Sequence, residues 1–317
     1  MRYNRQEILN EIGLERQELL KDSTVTIVGI GALGTIVLDI LSRAGVGKIK
    51  IIDRDIIELN NLQRQTLFTE EDLYKPKAVV AKEKINIINS EVQVEARVTD
   101  IDYDNVGLLD SDLILDCTDN MHTRFLINEY SRKKGIPWVY ASVIKSRGMT
   151  MNITKETPCF SCVFNEPTEA LETCDTAGIL NTTPHAIAAI QATEAIKILT
   201  NQDYSRELIH YDLWKNSITK IKTNKSDDCK PCRDIFEYLE GKKSKGMVKL
   251  CGSCNYQIKL NNINMDDVFA KLSLVNNIKS TDECLILNDV IFFKSGRALV
   301  KAKTKEEARI ILSKYLG

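Results

Sequence analysis

Histidine is scarce: His122, His185 and His210 are the only three in 317 residues. None stands at ligand spacing from another, which argues against a histidine metal centre. No Ser/His/Asp set is evident for nucleophilic catalysis. Long apolar runs are missing too. No stretch reaches the ~20 residues that a membrane helix needs, and no secretory leader is recognisable. With nine cysteines, an odd number, these absences argue against a disulfide framework and predict a reducing, cytoplasmic setting away from membranes. Neither sign of charge is in excess, at 43 Lys and Arg against 44 Asp and Glu. The balance is uneven along the chain, because residues 242–317 hold 14 basic against 7 acidic residues. That basic stretch lacks interleaved aromatic platforms, so no nucleic-acid partner is expected.

What is present begins with a glycine fingerprint. Residues 26–34 read Thr-Ile-Val-Gly-Ile-Gly-Ala-Leu-Gly, and Asp53 follows 19 residues after Gly34. The apolar run Ser23–Val28 predicts a strand, Thr35–Ala44 has helical spacing, and Lys48–Ile52 predicts a second strand. In that setting Gly29 permits a tight turn, Gly31 lets a phosphate approach the backbone, and Gly34 lets helix and strand pack closely. The helix start offers unpaired N–H groups to an anion, and Asp53 can accept from a ribose hydroxyl. The pattern predicts an adenine nucleotide; a glycine turn that serves only close packing is the alternative.

Such a unit would by default belong to an NAD-dependent oxidoreductase. The residues after Asp53 argue otherwise. Positions 53–65 read Asp-Arg-Asp-Ile-Ile-Glu-Leu-Asn-Asn-Leu-Gln-Arg-Gln, and Lys75-Pro76-Lys77 heads an amphipathic helix. Two cations, Arg64 and Lys77, thus follow the ribose-binding acid. A dinucleotide pyrophosphate needs little beyond helix N–H groups, whereas dedicated cations suit a triphosphate whose leaving group gains charge. Asp119, beyond the apolar strand Asp112–Cys117, is a further site candidate, because ligands of open α/β sheets lie beyond the carboxyl ends of strands.

Six motifs occur in one order: Arg2-Tyr3-Asn4-Arg5-Gln6, Gly29-x-Gly31-x-x-Gly34, Asp53-x-Asp55, Asn61-Leu62-Gln63-Arg64-Gln65, Lys77 and Asp116-Cys117-Thr118-Asp119-Asn120. Over about residues 1–235 the chain resembles the E1-like adenylyltransferases of the ThiF/MoeB/HesA group. These enzymes activate the ubiquitin-like sulfur carriers of thiamine and molybdopterin synthesis. Ala32 is a mild departure, since many members have a second glycine there. The resemblance implies that Asp53 holds the ATP ribose, that Arg64 and Lys77 grip the phosphates with Asn61 as a further polar contact, and that Asp119 binds magnesium. It also implies that Arg5 enters the partner subunit's ATP site, and hence a homodimer. The implied reaction is Mg-ATP-dependent adenylylation of a carrier's Gly-Gly carboxylate. A separate sulfur donor, a cysteine desulfurase or rhodanese, would then form the thiocarboxylate. An E1-like enzyme acting on another peptide tail, a catalytically silent E1-like scaffold and a nicotinamide oxidoreductase are the alternatives.

Cys159-Phe-Ser-Cys162 and Cys229-Lys-Pro-Cys232 are two CxxC knuckles. Four thiolates in two such pairs suit a closed tetrahedral zinc site. The distance between the pairs means that the site would staple segments far apart in sequence, and in the resembling family the matching pairs bind structural zinc. A redox CxxC, which usually opens a helix after a strand, is the alternative. Cys174 falls in the polar stretch 165–183. In the family this is a crossover loop, and in its thiamine branch the matching cysteine links covalently to the carrier, so Cys174 is a candidate nucleophile. Cys117 reads as a small core residue. Cys251-Gly-Ser-Cys254 is a third CxxC with no second pair to complement it.

Alternating strands and helices over residues 1–240 predict an α/β fold, a doubly wound, mostly parallel Rossmann-like sheet with a zinc-stapled C-terminal half. Helix 184–199 is expected to bury Ile187, Ile190, Ala195, Ile198 and Leu199. Stretches 207–213 and 217–223 alternate like a hairpin. After a polar, Gly-bracketed linker at 241–246, residues 247–317 read as a small basic α+β appendage that could attract an acidic carrier protein. Its expected elements are strands at 255–260, 284–288 and 298–302, with helices at 265–273 and 305–315.

Overall fold

The computed structural model describes residues 2–166, 177–243, 247–249, 255–260, 263–272, 279–280 and 283–316. Cys174, Cys251 and Cys254 lie outside the described residues. The chain divides into two compact units, Met1–Lys243 and Ser244–Gly317.

The first unit runs α1 (Asn4–Glu7), α2 (Gly13–Asp22), β1 (Thr24–Val28), α3 (Gly34–Ala44), β2 (Lys48–Ile52), α4 (Lys77–Ile88), β3 (Gln93–Arg97), β4 (Leu113–Asp116), α5 (Met121–Lys134) and β5 (Trp138–Ile144). It continues with β6 (Arg147–Ile153), α6 (Phe160–Val163), α7 (Thr182–Leu199), β7 (Leu208–Asp212) and β8 (Ser217–Ile221). Its sheet has the order β3-β2-β1-β4-β5-β6-β7-β8. The first five strands are parallel and the last three add antiparallel pairs. Strand β4, Leu-Ile-Leu-Asp, is buried along its whole length, as a central strand covered on both faces must be.

Alternation along the strands sorts the two faces. Val25, Ile27, Ile49, Ile51, Leu113, Leu115 and Val139 pack with apolar residues of α3, α4 and α7. Val28, Ile52, Ile114, Trp138 and Tyr140 pack on the other face, with α5 and the cysteine knuckles. On α7 the fully buried stripe is Ile187, Ala188, Ala192 and Ala195, while Ile190, Ile198 and Leu199 are only half-buried. Ile187 and Ala195 are thus buried as expected, and the small side chains of Ala188, Ala192 and Ala195 let the helix lie close against the sheet, while Ile190, Ile198 and Leu199 are covered less. The helix also starts earlier than expected, with Pro184 inside its first turn, where a missing N–H costs nothing.

Strands run toward one pole, and α3 carries the chain back to the other. At that far pole α1 is tied down. Gln6 Nε2 donates to Ala44 O at 3.0 Å and to Gln17 Oε1 at 2.7 Å, and Asn89 Nδ2 donates to the Tyr3 hydroxyl at 2.9 Å.

The second unit holds β9 (Met247–Lys249), β10 (Asn255–Lys259), α8 (Met265–Leu272), β11 (Lys279–Ser280), β12 (Cys284–Leu287), β13 (Val290–Phe293), β14 (Arg297–Lys301) and α9 (Lys305–Leu316). Its antiparallel sheet has the order β11-β12-β13-β14-β10-β9. Leu285, Val290, Phe292, Ala298 and Val300 form its core with Val268 and Ala308 of the helices. No helix among the described residues is long and apolar enough to cross a membrane.

Candidate active site

The sheet order reverses at β1, which pairs with β2 on one side and β4 on the other. Crevices at such a switch point are where open α/β sheets take ligands. The loop after β1 turns at Gly29, whose φ is +90°. A Cβ there would stand 2.8 Å from the Cys117 carbonyl oxygen just past β4. A Cβ on Gly34 would collide with the Gly29 carbonyl, so glycine lets α3 begin directly on the turn. Gly31 differs: the space beside its Cα is open, with Gln65 Nε2 at 3.8 Å the one near neighbour. Two glycines therefore serve packing, and the third leaves room.

Asp53 ends β2 and is buried. Its Oδ2 accepts from Ile30 N at 2.5 Å and its Oδ1 from Asp55 N at 2.7 Å. The acid thus fastens the glycine loop before any ligand arrives, and its remaining lone pairs can take a hydroxyl. Burial raises its pKa, and the Lys77 ammonium pulls it back down. Lys77 opens α4 as a buried cation, with Nζ 3.7 Å from Asp55 Oδ2 and its backbone N donating to Asp55 O at 2.9 Å.

Arg54, unassigned from sequence, ties the neighbouring loops. Its Nη1 donates to Asp100 Oδ2 at 2.8 Å and its Nε lies 3.8 Å from Asp55 Oδ1. Burial alone would lower its pKa, but Asp100, Asp55 and Asp119 together hold the guanidinium more firmly protonated than usual. Asp119 stands at the mouth of the crevice, open to solvent yet hemmed in by protein. That crowding raises its pKa; Arg54, Arg124 and Lys77 oppose the rise and Asp55 adds to it.

The loop bearing Asp119 is itself held from below. Asp116 is fully buried; its Oδ1 accepts from Thr118 N at 2.9 Å and Thr118 Oγ1 at 2.6 Å, and its Oδ2 from Arg124 Nε at 3.1 Å. Arg124 Nη2 also donates to Thr118 O at 2.5 Å. Gln191 of α7 donates to the carbonyls of Asp116 at 2.9 Å and Val139 at 3.0 Å. Cys117 is buried there, and its thiol pKa lies well above the ordinary range, which suits packing and not nucleophilic attack.

Arg64 and Asn61 sit on the turn after β2. Arg64 Nη1 donates to Asn60 O at 2.9 Å, and no carboxylate partners it among the described residues. Asn61 is buried and engaged locally, with Oδ1 accepting from Glu58 N at 3.2 Å and Nδ2 donating to Asn60 Oδ1 at 2.8 Å. The structure thus links Asp53 to the glycine turn through Ile30 N, Asp53 to Lys77 through Asp55, and Asp119 to Lys77 and Arg54 through their charges; Arg64 stands on the turn after β2. Arg5 is not among them. It is exposed on α1, next to the Gln6 that is pinned at the far end of α3.

Away from the opening, Cys159, Cys162, Cys229 and Cys232 bring their sulfur atoms within 4.8 Å of one another. Individual separations run 3.3 Å for Cys159–Cys229, 3.5 Å for Cys159–Cys232 and 3.6 Å for Cys159–Cys162 and Cys162–Cys232. A tetrahedral zinc with Zn–S of about 2.3 Å asks for roughly 3.8 Å between sulfurs, so the four thiols can hold zinc. Burial pushes the Cys159 thiol up and the Cys229 thiol to about 12, while hydrogen bonding outweighs burial and lowers Cys162. A divalent cation offsets the cost of ionising such thiols. Asn128 of α5 supports the first knuckle, accepting from Phe160 N at 2.9 Å and donating to Ser161 Oγ at 3.0 Å. Glu129, the next residue, accepts from the backbone N–H groups of Glu237, Tyr238 and Leu239 at 3.1, 2.9 and 3.0 Å, fixing the chain beyond the second knuckle.

Comparison with known proteins matches the ThiF family over residues 3–232. The sulfur carrier protein ThiS adenylyltransferase of Bacillus subtilis is 35% identical over 336 aligned positions, covering 100% of this chain and 99% of that protein. The molybdopterin-synthase adenylyltransferase of Escherichia coli is 33% identical, covering 73% of this chain and 96% of that protein. Among solved structures, E. coli MccB with MccA-N7isoASN has a TM-score of 0.66 at 25% identity, covering 73% of this chain and 75% of that one.

Metal analysis is expected to find about one zinc per chain, held by these four cysteines. Because metal binding is coupled to folding, a strong chelator should lower the melting temperature, and added zinc should restore it. A chain that is metal-free as purified and indifferent to chelator would remove the assignment.

Proposed function

The chain belongs to the ThiF family, and from that membership we propose that it uses Mg-ATP to adenylylate the C-terminal carboxylate of a ThiS-like sulfur carrier. It is a sulfur-carrier-protein adenylyltransferase. The likeness to the Bacillus ThiS enzyme spans the whole chain, second unit included, which supports the thiamine-type carrier. The other readings raised by the sequence, a nicotinamide oxidoreductase or an enzyme of another peptide tail, are not favoured by these relatives.

The observation that supports the reaction is the charge pattern beyond the glycine turn: buried Lys77 stands beside Asp55, solvent-open Asp119 feels Lys77 and Arg54, and Arg64 has no acid partner among the described residues. A carrier carboxylate is ionised at neutral pH, so no general base is needed. Its oxygen attacks the α-phosphorus, the bond to the bridging oxygen of pyrophosphate breaks, and a carrier acyl-adenylate is left. Charge grows on the departing pyrophosphate. Lys77 and Arg64 would offset it, and the N–H groups at the start of α3 would add their dipoles. Asp53 orients the ribose. Asp119 is the proposed magnesium ligand; a divalent ion held there would neutralise charge on the phosphates. Asn61 shapes the turn that presents Arg64. A separate sulfur donor, a cysteine desulfurase or rhodanese, would convert the adenylate to a thiocarboxylate.

Arg5 fits this scheme only across subunits. Eleven residues of α3 separate Ala44, where the neighbouring Gln6 is anchored, from the glycine loop, roughly 16 Å of helix. An arginine side chain does not span that distance, so Arg5 would serve the site of a second copy in a homodimer.

Three outcomes test the scheme. With ATP, magnesium and a Gly-Gly-ended carrier, labelled pyrophosphate should exchange into ATP. Asp119→Ala should abolish exchange, and Arg64→Ala or Lys77→Ala should slow it roughly 10²–10³-fold, the scale for losing one transition-state charge partner. Undiminished exchange by Asp119→Ala would remove its metal role. For Arg5, mixing an Arg5→Ala chain with an Asp119→Ala chain should restore activity in part, since one site of the mixed dimer keeps both residues. Verified mixed dimers without recovery would refute action across subunits. For Cys174, its alanine variant should adenylylate normally yet fail to pass sulfur to the carrier, because phosphoryl chemistry does not use the thiol. Unimpaired sulfur transfer would assign the chain adenylylation alone.

A further inference from the structure

We propose that Gln17 is a positioning residue for Arg5, an inference that rests on the reading above in which Arg5 serves the site of a second copy. Helix α1 has four residues and none of them is buried, so packing does little to fix it and its place depends on hydrogen bonds. Those bonds converge on the C-terminal end of α3. That helix closes at Gly45, whose φ is +87°, and its last carbonyls need donors from outside the helix. Ala44 O accepts from Gln6 Nε2 at 3.0 Å and from Gln17 Nε2 at 2.9 Å. Ser42 O accepts from Asn89 Nδ2 at 2.7 Å, and the same nitrogen donates to the Tyr3 hydroxyl at 2.9 Å. Gln17 Oε1 accepts from Gln6 Nε2 at 2.7 Å. Tyr3 and Gln6, which these bonds hold, stand on either side of Arg5 in the sequence.

Packing alone does not account for Gln17. It is 4% exposed, on a polar helix that covers only Leu20 besides. An apolar side chain would bury there without needing partners. The amide costs desolvation that its hydrogen bonds offset, and what those bonds add is direction. Its nitrogen grips the end of α3, and its oxygen grips the residue next to Arg5. Gly45 completes the fit, because a Cβ there would stand 2.8 Å from Gln17 Nε2 and 2.7 Å from Tyr3 Cε1. Helix α3 therefore has the glycine loop at its start and the fastening of α1 at its end. Arg5 itself is exposed, so where it reaches on a second copy is set by how firmly its neighbours are held. An arginine that offsets transition-state charge works only from the right place, since a misplacement of about 1 Å can cost 10²-fold in rate.

Gln17→Met tests this, because it keeps the length and the burial and removes both ends of the amide. It should slow carrier-dependent pyrophosphate exchange roughly 10–10²-fold. Added to Arg5→Ala, it should slow the residual exchange no further, because a residue that acts through Arg5 has nothing to position once the guanidinium is gone. In mixed dimers the defect should follow the chain that donates α1. Gln17→Met paired with Asp119→Ala should run at the wild-type rate per intact site, since the working site receives an unaltered Arg5. A wild-type chain paired with a chain carrying both Gln17→Met and Asp119→Ala should be slow, since its working site receives the altered one. A defect that stays with the Gln17→Met chain's own site, or that adds in full to Arg5→Ala, would show a structural role and overturn the proposal, as would wild-type exchange by Gln17→Met. If Gln17→Met does not fold, Gln6→Met removes the same bond from its half-buried end, with the same outcomes expected. Mixed Arg5→Ala and Asp119→Ala dimers that fail to recover would instead overturn action across subunits. Comparing Arg5→Ala with and without Gln17→Met would then still decide whether Gln17 acts through Arg5.

Discussion

No side chain fits between Gly29 and the chain leaving β4. The Cys117 carbonyl would stand 2.8 Å from any Cβ at position 29, and the carbonyl of Gly29 in turn excludes a side chain from Gly34. This close approach of two backbones decides much that follows. It lets α3 spring from the loop without a spacer, so that its unpaired N–H groups face the crevice. It brings the ends of β1 and β4 together, so that Asp53 and Asp119, from the loops after β2 and β4, both feel the charge of Lys77 at the start of α4. A side chain at either glycine would wedge the crevice apart from beneath.

Around this contact the protein buries charge, and the pattern favours placement over stability. A buried ion pair yields little net free energy once desolvation is counted. Asp116 and Arg124 are nonetheless sunk in the core, with the thiol of Cys117 and the amide of Gln191 packed between helix and sheet. Their effect is to fix the course of residues 117–119. Arg54 acts similarly on the outer side, gathering Asp100 and Asp55 at the ends of β3 and β2. Asp55 then holds Lys77. The charged groups of the opening are therefore positioned by other charged groups, and few depend on solvent to set their direction.

Much of this was legible in the sequence, and the parts that were not share a cause. The glycine spacing, the strands flanking it and the acid at position 53 announce themselves through local periodicity. The cysteine pairs do so through spacing. Helix α5 was hidden because it buries Arg124, Asn128 and Glu129, polar residues that break the apolar stripe from which helices are read. Each of the three is buried to serve a segment outside the helix: Asp116 eight residues back, the first cysteine knuckle and the chain after the second. Arg54 escaped notice for a similar reason, as its partners Asp100 and Asp119 are 46 and 65 positions away. Helix α2, Gly-Leu-Glu-Arg-Gln-Glu-Leu-Leu-Lys-Asp, is too polar to signal burial; only Gln17 and Leu20 are covered. Strand β13 lay between two expected strands and was absorbed by the turn that separates them.

The cysteine cluster has a consequence outside catalysis. Sulfur atoms held 3.3–3.6 Å apart suit a metal, but the same proximity suits thiol oxidation, since a thiolate needs only an oxidised neighbour within reach to close a disulfide. Any such bond would spend two ligands at once, and one between the knuckles would join segments about 70 residues apart through a link much shorter than a metal bridge. A redox-inert ion bound there would guard the thiols as well as staple the fold. In purification, a chain stripped of metal in air would be at risk of irreversible loss, whereas one stripped under reductant would not.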